Sequence, residues 1–232
     1  MKKNKVLCIV CARAGSKRLK NKNFKNLFGK PLIYHTIKQA ISSKIFDKIV
    51  FSTDSEKLRK MAIKFGAEAW FIRPKEHSND KAAKMPVIRH AILEAERKFK
   101  NKFDFICDLD VTSPLRKIND IKIAYRKFKI SKQDMLISGN KARKNPYFNM
   151  VQKNGKNSLK LVIKPKKFIV RTQDAPPVYE LNASIYFWKR DACFKQKGPF
   201  CKKTFFYEMP YSRSIDIDSI SDFKMVQFFG KK

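Results

Sequence analysis

Strand-like and helix-like patterns alternate along the first 140 residues, and no other feature of the sequence restricts the fold as tightly. "KVLCIVCA" is a short apolar strand, and "PLIYHTIKQAIS" repeats apolar residues at helical spacing, with Ile33, Ile37, Ala40 and Ile41 on one face. "FDKIVFSTD" is a second strand. "SEKLRKMAIKFG" is a second helix, with Ser55 as N-cap, Leu58, Met61, Ala62 and Phe65 inward, and Gly66 at its close. "AEAWFI" reads as a third strand, and "MPVIRHAILEAERKFK" as a third helix with Pro86 in its first turn. "FDFICDLD", "INDIKIAYRKFK" and "DMLISG" continue as strand, helix, strand. Such alternation builds βαβ units and a mostly parallel sheet. Functional residues then belong beyond the C-terminal strand ends, in segments 13–23, 52–55, 73–80 and 108–116.

Beyond about residue 140 the rhythm changes. "NPYFNMVQ" and "SLKLVIKP" form a hairpin around "KNGKN", and "RTQDAPPVYE" is an irregular loop. "NASIYFWKRD" is strand-like, and "SIDIDSISDFKMVQFF" leaves a strand for a last helix. Without repeats or a low-complexity linker, residues 1–232 read as one domain whose second half completes the sheet.

A 43% hydrophobic content with 20 phenylalanines belongs to a folded chain. No apolar run has the length of a membrane span, so the expected location is the cytoplasm and no membrane partner is expected. The five cysteines are expected to be reduced thiols, and Cys8 and Cys11 fall on opposite sides of a strand. A net charge of +33 suits polyanionic partners. The lysines are scattered, however, rather than gathered into a stripe with interleaved aromatics. Compositional drift and a phosphate-binding enzyme fit that distribution better than a basic nucleic-acid-binding protein, which is kept as an alternative.

Three short stretches carry chemistry. "ARAGSKRLKNKN" is neither a Walker A loop nor G-x-G-x-x-G. It nevertheless supplies Gly15 for close backbone approach, Ser16 as a donor, and Arg13, Lys17 and Lys22 to neutralise phosphate oxygens. In "DLDVTSPLR", Asp108 and Asp110 point the same way from a strand end and could hold a hard cation, or could simply end an acidic strand. In "SIDIDS", Asp216 and Asp218 share one face across Ile217, although Asp218 or Ser219 could equally cap the last helix.

Taken in order, "ARAGSKR", "GKPLIYHTI", "IVFSTD", "RP", "TSPLR", "NASIY" and "SIDID" resemble the acylneuraminate cytidylyltransferase family, the CMP-sialic acid synthetases and their legionaminic and pseudaminic acid relatives, over nearly the whole chain. The resemblance implies a GT-A-like (Rossmann-like) three-layer α/β nucleotidyltransferase fold with a mostly parallel sheet. It also implies a homodimer with a small dimerisation insertion within about residues 140–180. The implied reaction joins CTP to a nonulosonic acid, giving the CMP-sugar and pyrophosphate, with Mg²⁺ as cofactor. By match to the family's motifs, Arg13, Ser16, Lys17, Lys22 and Asn23 would hold the nucleotide, and Arg73, Ser78 and Arg116 would lie near it. Asp216 and Asp218 would carry the metal, acting in catalysis with Arg13 and Lys22. Asp110, Arg171, Gln173 and Asn182 would lie on the sugar side.

Two departures fall on that side. Asp110 stands where relatives often have glutamine in "LQPTSPLR", and "YELNASIY" replaces "NGAIY". The nearest alternative within the class is a cytidylyltransferase for the eight-carbon acid Kdo. The mechanism implied is electrostatic: an acidic sugar meets anionic CTP, so Arg13, Lys17, Lys22 and the cation must neutralise the triphosphate before its anomeric hydroxyl can attack.

Overall fold

The computed structural model describes residues 4–16, 18–79, 82–198 and 200–231. Chain order begins with β1 (Val6–Cys11), the two short strands β2 (Asn26–Leu27) and β3 (Lys30–Pro31), α1 (Leu32–Ser43), β4 (Lys48–Ser52) and α2 (Glu56–Lys64). It continues through α3 (Lys84–Phe99), β5 (Phe105–Leu109), α4 (Ile118–Ser131) and β6 (Met135–Lys141). The second half adds the hairpin β7 (Val151–Lys153) and β8 (Leu159–Leu161), then β9 (Tyr179–Lys189), α5 (Arg190–Lys195), β10 (Thr204–Glu208) and α6 (Ile220–Phe229).

Six strands make the central sheet in the order β10-β6-β9-β5-β1-β4. β4, β1 and β5 are mutually parallel, as are β6 and β10, while β9 runs antiparallel between β5 and β6. The fold is therefore the expected mixed α/β architecture with a mostly parallel sheet. Its layers follow from alternation along β1. Val6, Cys8 and Val10 face a core shared with α1, α2, α4 and α6. Leu7 and Ile9 face a second core under α3 and α5. Burial on both faces explains why β1 reads as a continuous apolar run.

Three sequence expectations change. "AEAWFI" is not a strand: Glu68 makes one isolated bridge to Val50, after which the chain turns away. Trp70 instead packs edge-on against Phe71 and Phe99, and the Arg73 amide bonds the Thr53 carbonyl. "SIDID" has no strand partner either, although Ile215 and Ile217 are buried and the Ile217 amide donates to the Thr112 carbonyl at 2.9 Å. On α1, Ile41 lies at the rim with 36% of its surface exposed. Ser55 does cap α2, its side chain accepting from the Leu58 amide at 3.3 Å. The hairpin around "KNGKN" is present as β7 and β8.

The register of β6 against β9 shifts between Ile137 and Gly139, and this irregularity sits beside the site described below. A Cβ on Gly139 would stand 2.4 Å from the Glu180 carbonyl oxygen and 2.7 Å from the Phe206 ring. Backbone cannot yield as a flexible side chain can. Gly139→Ala is expected to lower stability by about 1–3 kcal/mol, the usual penalty of overpacking, with the loss read from urea denaturation midpoints.

Candidate active site

The cleft lies beyond the C-terminal ends of β1 and β5. The chain leaves β1 through Ala12, whose amide bonds the Ser52 carbonyl at 3.1 Å, and Ala14, whose amide bonds Asp54 Oδ1 at 2.9 Å. Asn23 Nδ2 donates to the Arg13 carbonyl at 2.8 Å, closing the loop on itself. Arg73 braces it from behind, with one terminal nitrogen donating to the Ala12 and Ser52 carbonyls at 2.9 and 2.8 Å. Arg73, expected near the nucleotide, is a buried strut that fixes the loop's shape, while Asn23, also largely buried, both closes the loop and lines the cleft.

Arg13, Ser16 and Lys22 line the cleft, and Arg18 joins them. Ser78 lines an adjoining depression with Arg13 and Ser16, its hydroxyl donating to the Pro74 carbonyl at 2.9 Å. Lys17 lies outside the described residues. Across the cleft, Lys22 Nζ donates to the Ile217 carbonyl at 2.5 Å and stands 3.3 Å from Asp218 Oδ1, while Arg18 holds Asp218 Oδ2 at 2.9 Å. Ser219, not Asp218, caps α6 through a reciprocal pair with Asp222, and so Asp218 is left to the cleft. Asp216 Oδ1 is buried without a hydrogen-bond partner. Burial, with Asp110 and Asp218 nearby, pushes the Asp216 carboxyl up to about 6.

Asp108 and Asp110 do face the same way, but what stands between them is Lys84, the first residue of α3. Its Nζ is 2.5 Å from Asp108 Oδ2, 3.5 Å from Asp110 Oδ2 and 3.9 Å from the Tyr186 ring centroid. Burial alone would pull the Lys84 ammonium down, yet the two carboxylates hold it well above the ordinary lysine range. The pair of aspartates is thus a clamp on an ammonium ion rather than a bed for a metal. Cys11 lines the same cleft with its thiol pushed up to about 12 by burial and by Asp108, which makes it inert as a nucleophile.

Arg116 is wholly inside the protein. Its guanidinium donates to both the carbonyl and the hydroxyl of Ser184, and also to Thr36 Oγ1, the Asp110 carbonyl and Gln39 Oε1. It has no face for a nucleotide. Asn182, expected near the sugar, is likewise buried: its side chain accepts from the Ser138 hydroxyl at 2.7 Å and donates to Ser214 Oγ at 3.0 Å. It fastens the segment leading to Asp216 onto β6 and β9. Arg171 and Gln173 are exposed and lie outside the cleft lining, with Arg171 paired to Asp174 at 3.0 Å.

Residues 7–229 match the family model described as cytidylyltransferase. The chain belongs to the cytidylyltransferase family. A CMP-N,N'-diacetyllegionaminic acid synthase of Campylobacter jejuni subsp. jejuni serotype O:2 is 44% identical over 226 residues, spanning 96% of this chain and 94% of that protein. A pseudaminic acid cytidylyltransferase of the same serotype is 33% identical over 227 residues, spanning 98% and 97%. Among solved structures, CMP:2-keto-3-deoxy-manno-octonic acid synthetase complexed with CTP superposes with a TM-score of 0.68 over 98% of each chain, at 17% identity. That last likeness speaks for the fold alone.

This cytidylyltransferase brings together Arg13, Ser16, Lys22, Asp110, Asp216 and Asp218 from its sequence motifs, and adds Arg18 and Lys84. Arg18 stood within "AGSKR" and was visible. Lys84 was one lysine among many, and only the need of two same-facing carboxylates for a counter-ion could have pointed to it.

The raised Asp216 carboxyl has a consequence for stability. Its folded-state value of about 6 exceeds the ordinary 3.8, so the native state binds the proton more tightly than the unfolded chain. Stability in chelator is therefore expected to fall as pH rises through that interval. Asp216→Asn should remove that part of the slope, as checked by urea denaturation of both proteins across the same pH range.

Proposed function

We propose that this cytidylyltransferase is a CMP-nonulosonate synthetase, joining CTP to an acidic nine-carbon sugar of the legionaminic type and releasing pyrophosphate. The observation that carries the reading is the meeting, in one cleft, of the cationic loop of Arg13, Arg18 and Lys22 with Asp218, close to Asp216, one of whose carboxylate oxygens is buried without a hydrogen-bond partner. Higher identity to the diacetyllegionaminate synthase than to the pseudaminate enzyme favours that sugar class, and a Kdo-type acid has only a fold-level likeness behind it. The nucleic-acid alternative raised by the net charge gives way to family membership.

The anomeric hydroxyl of the sugar attacks the α-phosphorus of CTP. A new O–P bond forms as the bond to the β-phosphate oxygen breaks, and pyrophosphate leaves with the negative charge. Arg13 and Lys22 neutralise triphosphate oxygens, with the Ser16 hydroxyl and the Gly15 amide as further donors. The backbone struts keep that loop in one shape before substrate arrives, so little reorganisation remains for the reacting complex. None of the three histidines lines the cleft; Asp218 does, with Asp216 close by, and these carboxylates are the acceptors for the hydroxyl proton, directly or through water.

Magnesium takes oxygen donors and commonly combines one or two carboxylates with waters and substrate phosphates. The buried, unpartnered Oδ1 of Asp216 beside Asp218 fits that donor set. Asp216 and Asp218 are the residues that would hold the ion, and among the described residues no group of three His, Cys, Asp or Glu side chains could hold a metal by itself. When bound, the ion supplies charge neutralisation at the phosphates and acidifies a coordinated hydroxyl.

Pyrophosphate release from CTP is expected with a legionaminic-type acid, abolished by EDTA and restored by Mg²⁺. Asp216→Asn should lower kcat by about two to three orders of magnitude, as for loss of a principal electrostatic group. Full turnover in EDTA, or a silent Asp216→Asn change, would refute the assignment of that carboxylate.

The expected homodimer is part of the same proposal. Val151, Leu159, Phe168 and Val170, on and after the β7–β8 hairpin, are all more than half exposed, and Phe168 shows 92% of its surface. Contiguous apolar exposure of this kind suits cover by a second copy. Sedimentation is expected to give a dimer that Phe168→Glu with Val170→Glu converts to monomer; a monomeric wild type would end the idea. The described residues contain no helix long and apolar enough to cross a membrane, and five free cysteines suit the reducing cytoplasm.

A further inference from the structure

The clamp on Lys84 is more elaborate than the chemistry above requires. Asp108 is 1% exposed on β5 and sits opposite Tyr186 of β9. Lys84 arrives from α3, and its ammonium meets Asp108, Asp110 and the Tyr186 ring face together. These contacts engage the ammonium, although the Lys84 side chain keeps 37% of its surface exposed. Asp110 differs. Thr112 donates to its Oδ1 twice, from the amide at 3.2 Å and the hydroxyl at 2.9 Å, and Lys84 flanks Oδ2. The side chain keeps 28% of its surface exposed and lines the cleft with Arg13 and Lys22.

Both substrates of the proposed reaction are anions. A carboxylate in their cleft repels phosphate and sugar carboxylate alike, unless it meets a neutral, hydrogen-bond-donating part of a substrate. Asp108 is buried behind Lys84, and Asp110 is the carboxylate of the clamp that reaches the cleft. We propose that Lys84 is a positioning residue of the sugar subsite, fixing Asp110 as the acceptor for a hydroxyl or acylamido N–H at the neutral end of the acidic sugar. This inference rests on the synthetase reading above. It orients the sugar, with its own carboxylate toward the cationic loop and its donor-bearing end toward Asp110.

The test is steady-state kinetics, with KM for the sugar acid and KM for CTP measured separately on wild type, Asp110→Asn, Lys84→Met and the double variant. Melting curves are recorded for each. Asp110→Asn leaves the Lys84–Asp108 pair in place. It should raise the sugar KM by about tenfold or more, the worth of a hydrogen bond to a charged acceptor, while the CTP KM stays within about twofold. Lys84→Met should show the same split, and the double variant should cost no more than the worse single one, because Lys84 acts through Asp110.

Lys84→Met also strands a buried carboxylate. If it does not fold, Lys84→Arg, which keeps the charge but changes its placement, must show the split instead. An unchanged sugar KM in Asp110→Asn, or a CTP KM that rises equally, overturns the proposal while leaving the synthetase reading intact. Wild-type protein that releases no pyrophosphate with any nonulosonic acid overturns both.

Discussion

One buried guanidinium holds the functional end of this protein together. Arg116 joins α1 through Thr36 and Gln39, the exit of β5 through the Asp110 carbonyl, and β9 through Ser184. Carbonyls at strand ends lack ladder partners and would be costly to bury alone. A planar group with five donors satisfies several at once from the centre of the turn that follows β5. Asp110, Thr112 and, through Thr112, the Ile217 amide all take their places from that turn. The geometry of the acidic segment at the far end of the chain thus depends on an arginine about a hundred residues earlier.

The cleft built on this framework separates its charges. Arg13, Arg18 and Lys22 lie on the β1 loop, whereas Asp110, Asp216 and Asp218 come from the β5 exit and the segment before α6. Lys22 and Arg18 cross the gap to Asp218, so the free enzyme is internally paired. Under the proposed reading, an arriving triphosphate would compete with that pairing and would release Asp218 beside Asp216. Anion binding and exposure of the acidic pair are coupled by simple charge exchange.

Much of the framework was legible in the residues, because periodicity reports which face of an element is buried. Val6 to Val10 reads as a two-sided strand, and Leu58 with Ala62 as the inward face of a helix. "AEAWFI" misled because Ala67 and Ala69 are buried in one core and Trp70 and Phe71 pack by their rings toward α3, all without sheet pairing, and a short apolar run cannot distinguish such burial from a strand. At the site, the motifs located the right loops but not the duties within them. A sequence shows that Arg73, Arg116 and Asn182 carry donors; it does not show the carbonyls and hydroxyls that gather around them once the loop closes. Lys84 was hidden for the opposite reason, since its partners, Asp108 and Asp110, lie more than twenty residues away and its chain is full of lysines.

The position of β9 has a further bearing on how the molecule assembles. The strand sits between β5 and β6 but follows both in sequence, returning from the β7–β8 hairpin to run against them. Until it inserts, the three-stranded β4-β1-β5 unit and the β6-β10 pair share no edge. The sheet therefore closes through a long-range event, which is slow because its loop entropy is lost before its contacts form. That entropy grows only logarithmically with loop length. The projecting segment ahead of β9 can accordingly lengthen or shorten at little thermodynamic cost, changing its outward surface while the strand that carries Tyr186 and Asn182 still finds the same slot.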